Sequence, residues 1–147
     1  MRTIKFRAWD KTYKRMNYKV QVGNTDYADQ NYTCNSIWVD YGDTKSIGWM
    51  NADDKCIDLM QFTGLQDVNG KEAYDGDIFN DLDNVSYVIK QDNLMTWAER
   101  VDGSPTWYRD FDKEVFARDM IIVGNIYETP ELLKENESDK SNRIKKN

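Results

Sequence analysis

Four closely spaced aspartates are the residues of this sequence whose type and spacing could do chemistry: Asp75, Asp77, Asp81 and Asp83. Carboxylate oxygens are the ligands that hard cations such as Mg²⁺ or Ca²⁺ prefer. The spacing does not match the EF-hand loop, in which acidic or amide residues alternate before a glycine. Aspartates also stabilise tight turns by accepting hydrogen bonds from nearby backbone N–H groups. We therefore favour a role in turns over a cation site.

Catalysis has little support in the residue types present. Glu72 and Asp77 could act as an acid–base pair, but nothing in the sequence places a substrate between them. The 147 residues include no histidine, which removes Ser-His and Cys-His nucleophilic pairs and His-ligated zinc. Cys34 and Cys56 lack CxxC spacing and are interpreted as free thiols. The sequence predicts a protein that is not an enzyme and binds no cofactor or metal.

Two dipeptides in the middle of the chain predict tight turns. Asn69-Gly70 and Asp75-Gly76 lie within Met60–Phe79, which joins two runs of short apolar segments. Asparagine and glycine tolerate the positive φ that tight hairpin turns demand. We expect Gly70 to have a positive φ in a central hairpin.

These turns belong to a set of blocks that resembles the YopX family of bacteriophage and prophage proteins. The blocks are Ile4–Lys11, Phe62–Asp67, Asn69–Glu72, Tyr74–Ile78, Val123–Glu128 and Pro130–Leu133. They span nearly the whole chain, although Asn84–Val115 and the residues after Leu133 match no part of the pattern. The resemblance implies a small phage-encoded protein that is mostly β and oligomeric. It implies no established biochemical activity and carries over no catalytic residues.

Alternating apolar and polar residues predict a mainly β fold, α+β at most. Alternation on both sides of the polar segment 10–14 predicts an N-terminal hairpin, with its second strand continuing through residues 16–22. Further strands are predicted at 36–41, 46–50, 57–63, 85–90, 96–101 and 120–127. The short strands after Gly70 are typical of a small SH3-like, partly open barrel.

The remaining local signals concern the end of the chain. Gly124 within the last apolar run predicts a bulge or bend. Thr129 as N-cap and Pro130 at the first helical position predict a short C-terminal helix. Residues 107–114 are compatible with a rim loop or a short helix. We predict an N-terminal region of hairpin and short strands at 1–59, the central hairpin, barrel and helix at 60–133, and a flexible tail at 134–147.

Charge is distributed unevenly along the chain. Residues 1–19 carry seven basic side chains and one acidic, a net charge of +6, whereas residues 20–133 carry 8 basic and 22 acidic side chains, a net charge of −14. With +2 on residues 134–147, the total is −6. The predicted hairpin places Ile4, Phe6 and Ala8 on an inner face and basic residues on an outer face. The candidate interaction surface on that outer face consists of Lys5, Arg7, Arg15 and Lys19.

This basic face has three possible interpretations. It is a solvated face that blunts a sheet edge, a contact for phosphates, or a contact for an acidic protein surface. We favour a self-assembling homo-oligomer or a module that binds a phage or host protein. The alternative is a nucleic-acid-binding module that uses the basic hairpin, against which the overall acidity counts. No apolar run is long enough to span a membrane and no signal peptide precedes the first strand, so the expected location is the cytoplasm of a bacterial host.

Overall fold

The computed structural model describes residues 3–23, 36–40, 49–52, 56–92, 95–104 and 112–134. The prediction of a mainly β fold is confirmed, with a curled half-barrel sheet and a short helix. The strands are β1 (Phe6–Asp10), β2 (Arg15–Asn17), β3 (Val20–Gly23), β4 (Ser36–Asp40), β5 (Trp49–Ala52), β6 (Ile57–Gln66), β7 (Glu72–Tyr74), β8 (Asp77–Asn80), β9 (Ser86–Gln91), β10 (Thr96–Arg100) and β11 (Ile121–Asn125). The helices are α1 (Lys113–Asp119) and a 3₁₀ helix (Pro130–Leu133).

The chain divides into two compact units, Met1–Phe62 and Thr63–Asn147, and β6 contributes residues to both. The described strands form sheets with the orders β2-β1-β6-β7, β3-β4-β5 and β10-β9-β8-β11. The division into regions 1–59, 60–133 and 134–147 stays a prediction. The SH3-like character of the barrel also stays a prediction. The flexible tail predicted at 134–147 lies, apart from its first residue, outside the described residues.

The first unit contains the predicted N-terminal hairpin. β1 pairs with β2 in antiparallel register, with Asp10 opposite Arg15, and β1 also pairs antiparallel with β6. Small and β-branched residues form the core cluster of this unit because they pack closely between pleated surfaces. The buried members are Ala8, Ile37, Val39 and Ile57, with Val20, Val22 and Leu59 packed against them.

The second strand of the hairpin is shorter than the sequence predicts. β2 ends at Asn17, and the chain enters another sheet at Val20. The side chain of Asn17 accepts a hydrogen bond from the N–H of Lys19 (2.9 Å) and donates one to the carbonyl of Asp40 (2.9 Å). These local bonds replace ladder bonds and turn the chain away from β1. Val20 and Val22 nevertheless pack against the core cluster of the first unit.

The second unit is built around the sheet β10-β9-β8-β11. Its core is aromatic at the centre: the ring of Phe79 stacks on Tyr87 (centroids 5.2 Å apart) and meets Phe116 edge-on (5.1 Å). Phe116 lies on α1, whose N-cap residue is Asp112. The backbone carbonyl of Asp112 accepts a hydrogen bond from Phe116 N. The remaining buried members of the cluster are Leu65, Ala73, Ile89, Ala98, Met120 and Ile122. The helix therefore lies later in the chain than the predicted segment 107–114, of which 107–111 lies outside the described residues.

Bulge and turn chemistry shapes the end of the second unit. The register of β11 against β8 shifts between Ile122 and Gly124, which confirms the predicted bulge. The strand ends at Asn125 because its side-chain oxygen accepts hydrogen bonds from the next turn, at Tyr127 N (3.0 Å) and Glu128 N (2.8 Å). The predicted C-terminal helix is present as a 3₁₀ helix, although Thr129 makes no side-chain cap bond to it. Neither helix in the described part of the chain is long and apolar enough to cross a membrane.

Candidate interaction surfaces

Arg7, predicted on the outer basic face, lies instead in the interior. It is 1% exposed, and its Nε donates to the sulfur of Met60 at 3.4 Å across the β1–β6 pair. Ala8, the next residue on the strand, is also 1% exposed and belongs to the core cluster of the first unit. Both faces of β1 are therefore covered at this point, whereas the alternating pattern predicts one covered face and one in solvent. The assignment of Arg7 to an interaction surface is wrong.

Lys5 and Lys19 also make contacts within the first unit. The Lys5 ammonium lies 4.9 Å from the centroid of the Phe62 ring, a cation–π contact. Lys19 Nζ lies 3.6 Å from Asp40 Oδ2. Half-exposed ion pairs of this kind contribute little to stability, but they reduce the local positive charge. The predicted surface of four basic residues is thus not a continuous basic face.

The basic residues that remain at the surface gather where β1 turns into β2. We call residues Lys11–Arg15 the hairpin tip. Asp10, which is 4% exposed, fixes the turn because its Oδ1 accepts hydrogen bonds from Thr12 N (2.8 Å) and Tyr13 N (2.9 Å). The ring of Tyr13 is 71% exposed, and the guanidinium carbon of Arg15 lies 5.4 Å from its centroid. The hairpin tip therefore presents an aromatic ring among cations on a fixed support.

The turn predicted at Asn69-Gly70 is present, and the positive φ predicted for Gly70 is confirmed at 78°. We call residues Asp67–Gly70 the Asp67 turn. Gly70 N donates to Asp67 O (2.9 Å) and Asp67 N donates to Lys71 O (2.9 Å), the pattern of a three-residue hairpin loop closed by a left-handed glycine. Among the described non-glycine residues only Lys14 and Asn84 have positive φ, so Asn69 does not use the conformation that its type allows.

Asp67 ties this turn to a distant strand. Its side chain is 3% exposed, and Oδ1 accepts hydrogen bonds from Asn69 N and Lys71 N, both at 2.9 Å. Oδ2 accepts a third bond from Ile122 N in β11 (2.9 Å). The carboxylate therefore has a structural role, as the acceptor of hydrogen bonds from three backbone N–H groups. A sequence pattern could suggest the two local bonds, but not the one to Ile122.

Asp81 and Asn84 form a second turn of the same design. Asp81 Oδ1 accepts from Asp83 N (2.9 Å) and Val85 N (3.0 Å), while Oδ2 accepts from the hydroxyl of Tyr87 (3.1 Å). Asn84 has a φ of 57° at the position that corresponds to the glycine of the Asp67 turn. We call residues Asp81–Asn84 the Asp81 turn.

The Asp75-Gly76 turn carries the chain from one sheet to another. It follows β7, which pairs in the β2-β1-β6-β7 sheet, and precedes β8 of the β10-β9-β8-β11 sheet. Gly76 has a φ of 85°, and the buried carboxylate of Asp77 accepts a hydrogen bond from Tyr74 N at 2.7 Å. The turn is therefore a corner between sheets.

Two of the four aspartates considered as a cation site, Asp77 and Asp81, accept hydrogen bonds within turns. Asp77 and Asp81 accept the backbone hydrogen bonds described above, and Glu72 accepts one from the Tyr74 hydroxyl (3.4 Å). Within the described ranges, no group of three or more His, Cys, Asp or Glu side chains is placed to hold a metal ion. The arrangement favours the structural role.

Three exposed aliphatic side chains lie on β11 or beside its start. Ile121 and Val123 are 46% and 39% exposed, although Ile122 between them is buried. A hydrogen bond from Val68 N to Met120 O (3.0 Å) places Val68, which is 46% exposed, beside the start of the strand. We call Val68, Ile121 and Val123 the apolar strip. Sequence reasoning missed it because the apolar character of segment 120–127 does not show which of its side chains meet solvent.

The backbone edge of β11 beside this strip is already occupied. On the side away from β8, Ile122 N donates to Asp67, and Asn125 N donates to the hydroxyl of Thr129 (2.9 Å). Side-chain groups that occupy an edge prevent another strand from pairing with it. A partner at this place would therefore contact the side chains of the strip.

An arginine and the aspartate that follows it form an ion pair at the end of α1. Arg118 Nε and Nη2 donate to the two carboxylate oxygens of Asp119 at 2.9 and 2.7 Å. This hydrogen bonding lowers the pKa of Asp119 below its ordinary value and raises the pKa of Arg118 above its ordinary value. Arg118 is exposed and Asp119 is half-buried, and the two form a local ion pair at the end of the helix.

The fold and these surfaces define a small, mainly β protein. The carboxylates of Asp67 and Asp81 accept backbone hydrogen bonds in its turns. A family model described as YopX protein matches residues 5–134. The chain therefore belongs to the YopX family, and the resemblance noted from its sequence blocks is confirmed.

Two solved structures share the fold. Protein EF1440 from Enterococcus faecalis is 22% identical, with a TM-score of 0.63 over 91% of this chain and 100% of that chain. Protein yopX from Bacillus subtilis is 18% identical, with a TM-score of 0.51 over 92% of this chain and 99% of that chain. A comparison with curated proteins gave no match. At these identities the structural likeness concerns the fold alone.

Proposed function

We propose that this protein is a non-enzymatic phage or prophage accessory protein that assembles with further copies of itself. The observation that carries the proposal is the apolar strip, in which Val68, Ile121 and Val123 are 46%, 46% and 39% exposed. The chain is hydrophilic, with a mean hydropathy of −0.84. Neighbouring exposed aliphatic residues on such a hydrophilic chain indicate a protein-binding surface more than chance exposure.

The position of the strip favours a defined contact over uncontrolled strand addition. The neighbouring backbone edge is closed by Asp67 and Thr129, so the exposed groups that remain are side chains. The same strip exists on every copy, and an interface in which it meets its own copy is self-complementary about a two-fold axis. Burying the strip removes apolar surface from water, which is the main favourable contribution to association.

Solution mass measured by light scattering tests this proposal. We expect the parent protein to be an oligomer at tens of micromolar, about the range in which a modest interface persists. Ile121→Lys with Val123→Lys is expected to lower the mass because two cations would have to be buried at the contact. Met95→Lys is the matched control, since Met95 is also 46% exposed but precedes β10 at the other edge of the sheet.

Three outcomes of this measurement would contradict the proposal. A monomeric parent at that concentration is the first. An unchanged mass for the strip variant is the second, and an equal loss of mass in the Met95→Lys control is the third. Far-UV circular dichroism of each variant establishes that the fold is retained.

The absence of enzymatic activity is part of the proposal. It is supported by a sequence without histidine and by carboxylates that accept backbone hydrogen bonds, as Asp67 and Asp81 do. The test is a panel of nucleotides, nucleic acids and esters. Turnover that is abolished by changing a single carboxylate in a folded variant would refute it.

The nucleic-acid-binding alternative has weaker support. Arg7 is buried, Lys19 is paired with Asp40, and Lys11 lies 3.2 Å from Asp58. Binding to a phosphate backbone depends on several basic groups that act together. These three charges are instead buried or paired inside the first unit.

A further inference from the structure

The two most exposed large hydrophobic side chains in the described part of the chain are Leu82 (75%) and Tyr13 (71%). Each lies on a short turn that hydrogen bonds hold in place. Leu82 belongs to the Asp81 turn of the second unit, and Tyr13 belongs to the hairpin tip of the first. Rigid apolar groups lose little conformational freedom on binding, which suits them as contact anchors.

The two anchors have surroundings of opposite charge. Tyr13 stands beside the exposed Lys14 and the guanidinium of Arg15. Leu82 stands between Asp81 and the exposed Asp83. The difference follows the charge distribution of the chain, +6 on residues 1–19 and −14 on residues 20–133.

We infer that the hairpin tip of one copy docks on the Asp81 turn of another copy. The Tyr13 ring packs on Leu82, and Lys14 and Arg15 lie beside Asp83 at the rim. Apolar anchors at the centre hold such a contact, while the flanking charges align it and exclude like-charged alternatives. The occupant is a second copy because every chain carries both halves of the contact.

This contact joins two different surfaces and is therefore heterologous. Repeated contacts of this type close into a ring or continue as a filament, whereas the apolar strip joins identical surfaces. The inference rests on the proposed self-assembly and adds a second, distinct interface to it. The two interfaces are separable by mutation because they share no residues.

Complementation between two defective variants tests the contact. The tip variant carries Tyr13→Ala with Lys14→Glu, and the turn variant carries Leu82→Ser with Asp83→Lys. Point changes are preferable to deleting the hairpin, since β1 supplies buried core residues. Each variant alone is expected to have a lower solution mass than the parent. In a mixture, the intact turn of one variant meets the intact tip of the other, so a species heavier than either component is expected.

A control variant separates the contact from general charge effects. Tyr18→Ala with Lys113→Glu removes another exposed tyrosine (56%) and reverses another exposed lysine outside both surfaces. It is expected to keep the parent mass. The complex should weaken as salt rises, because the flanking charges are exposed and screened.

The outcomes distinguish this inference from the proposal on which it rests. The tip–turn contact alone is overturned if the parent assembles but the tip and turn variants keep its mass. It is also overturned if the parent assembles but the mixture forms no new species. A monomeric parent overturns both. If the tip variant keeps the parent mass but loses a salt-dependent shift of random single-stranded DNA, the hairpin tip binds nucleic acid and the inference is wrong.

Discussion

Replacing Asp67 by alanine is expected to separate the central hairpin from β11. The carboxylate accepts two hydrogen bonds inside its own turn, from Asn69 N and Lys71 N, and one from Ile122 N. Only the last crosses to a strand 55 residues away in the sequence. Asp81 is the natural comparison, because it makes the same two local bonds without the bond to a distant strand.

The magnitude follows from what water can reach after the substitution. Ile122 is 7% exposed, so its N–H would lose its partner in a buried place, at a cost of about 2 kcal/mol. Asn69 and Lys71 are exposed, so water replaces their acceptor and each loss costs about 1 kcal/mol. The total of about 4 kcal/mol is a large part of a stability of about 5–15 kcal/mol. Asp81→Ala loses two comparable turn bonds and a hydroxyl bond at a half-buried position, about 3 kcal/mol in all.

Urea unfolding followed by tryptophan fluorescence and circular dichroism gives the two free energies, provided that the m values stay equal. Hydrogen exchange at the Ile122 amide gives the local effect, and we expect protection there to fall further in Asp67→Ala than in Asp81→Ala. Equal destabilisation by the two substitutions, or unchanged protection of Ile122 in Asp67→Ala, would refute the reasoning. The bond between the turn and the strand would then contribute no stability.

Substitutions at three further positions test a turn, the β-bulge and a helix cap. Gly70→Val is expected to cost about 1–2 kcal/mol of stability, because the φ of 78° at this position strains a β-branched residue. Gly70→Asn should cost less, since Asn84 has a φ of 57° at the equivalent position of the Asp81 turn. Equal melting temperatures for Gly70→Val and the parent would contradict the turn assignment. Gly124→Ala should destabilise by about 1–3 kcal/mol, because the new Cβ would meet the hydroxyl of Thr129; a urea midpoint at the parent's value would show that the contact relaxes freely. Asp112→Ala should cost about 1 kcal/mol by removing the two N-cap bonds of α1, and full retention of stability in urea would exclude that role.

The sequence determined the features that depend on a few neighbouring residues. The positive φ of Gly70, the bulge at Gly124 and the hairpin turn in the polar segment 10–14 are confirmed. Glycine is the residue type for which positive φ is least costly, and a polar break between alternating runs closes a hairpin locally. The blocks that resemble the YopX family are likewise local patterns, and the family is confirmed.

The tertiary structure decided which surfaces are covered. Alternation shows which residues share a face of a strand, but it does not show whether that face meets solvent. Arg7 is therefore buried despite its charge, while Ile121 and Val123 are exposed despite their apolar side chains. The same limit applies to Asp67, whose bond to Ile122 joins residues far apart in the chain. Burial depends on contacts made by distant segments, and no local spacing in the sequence records them.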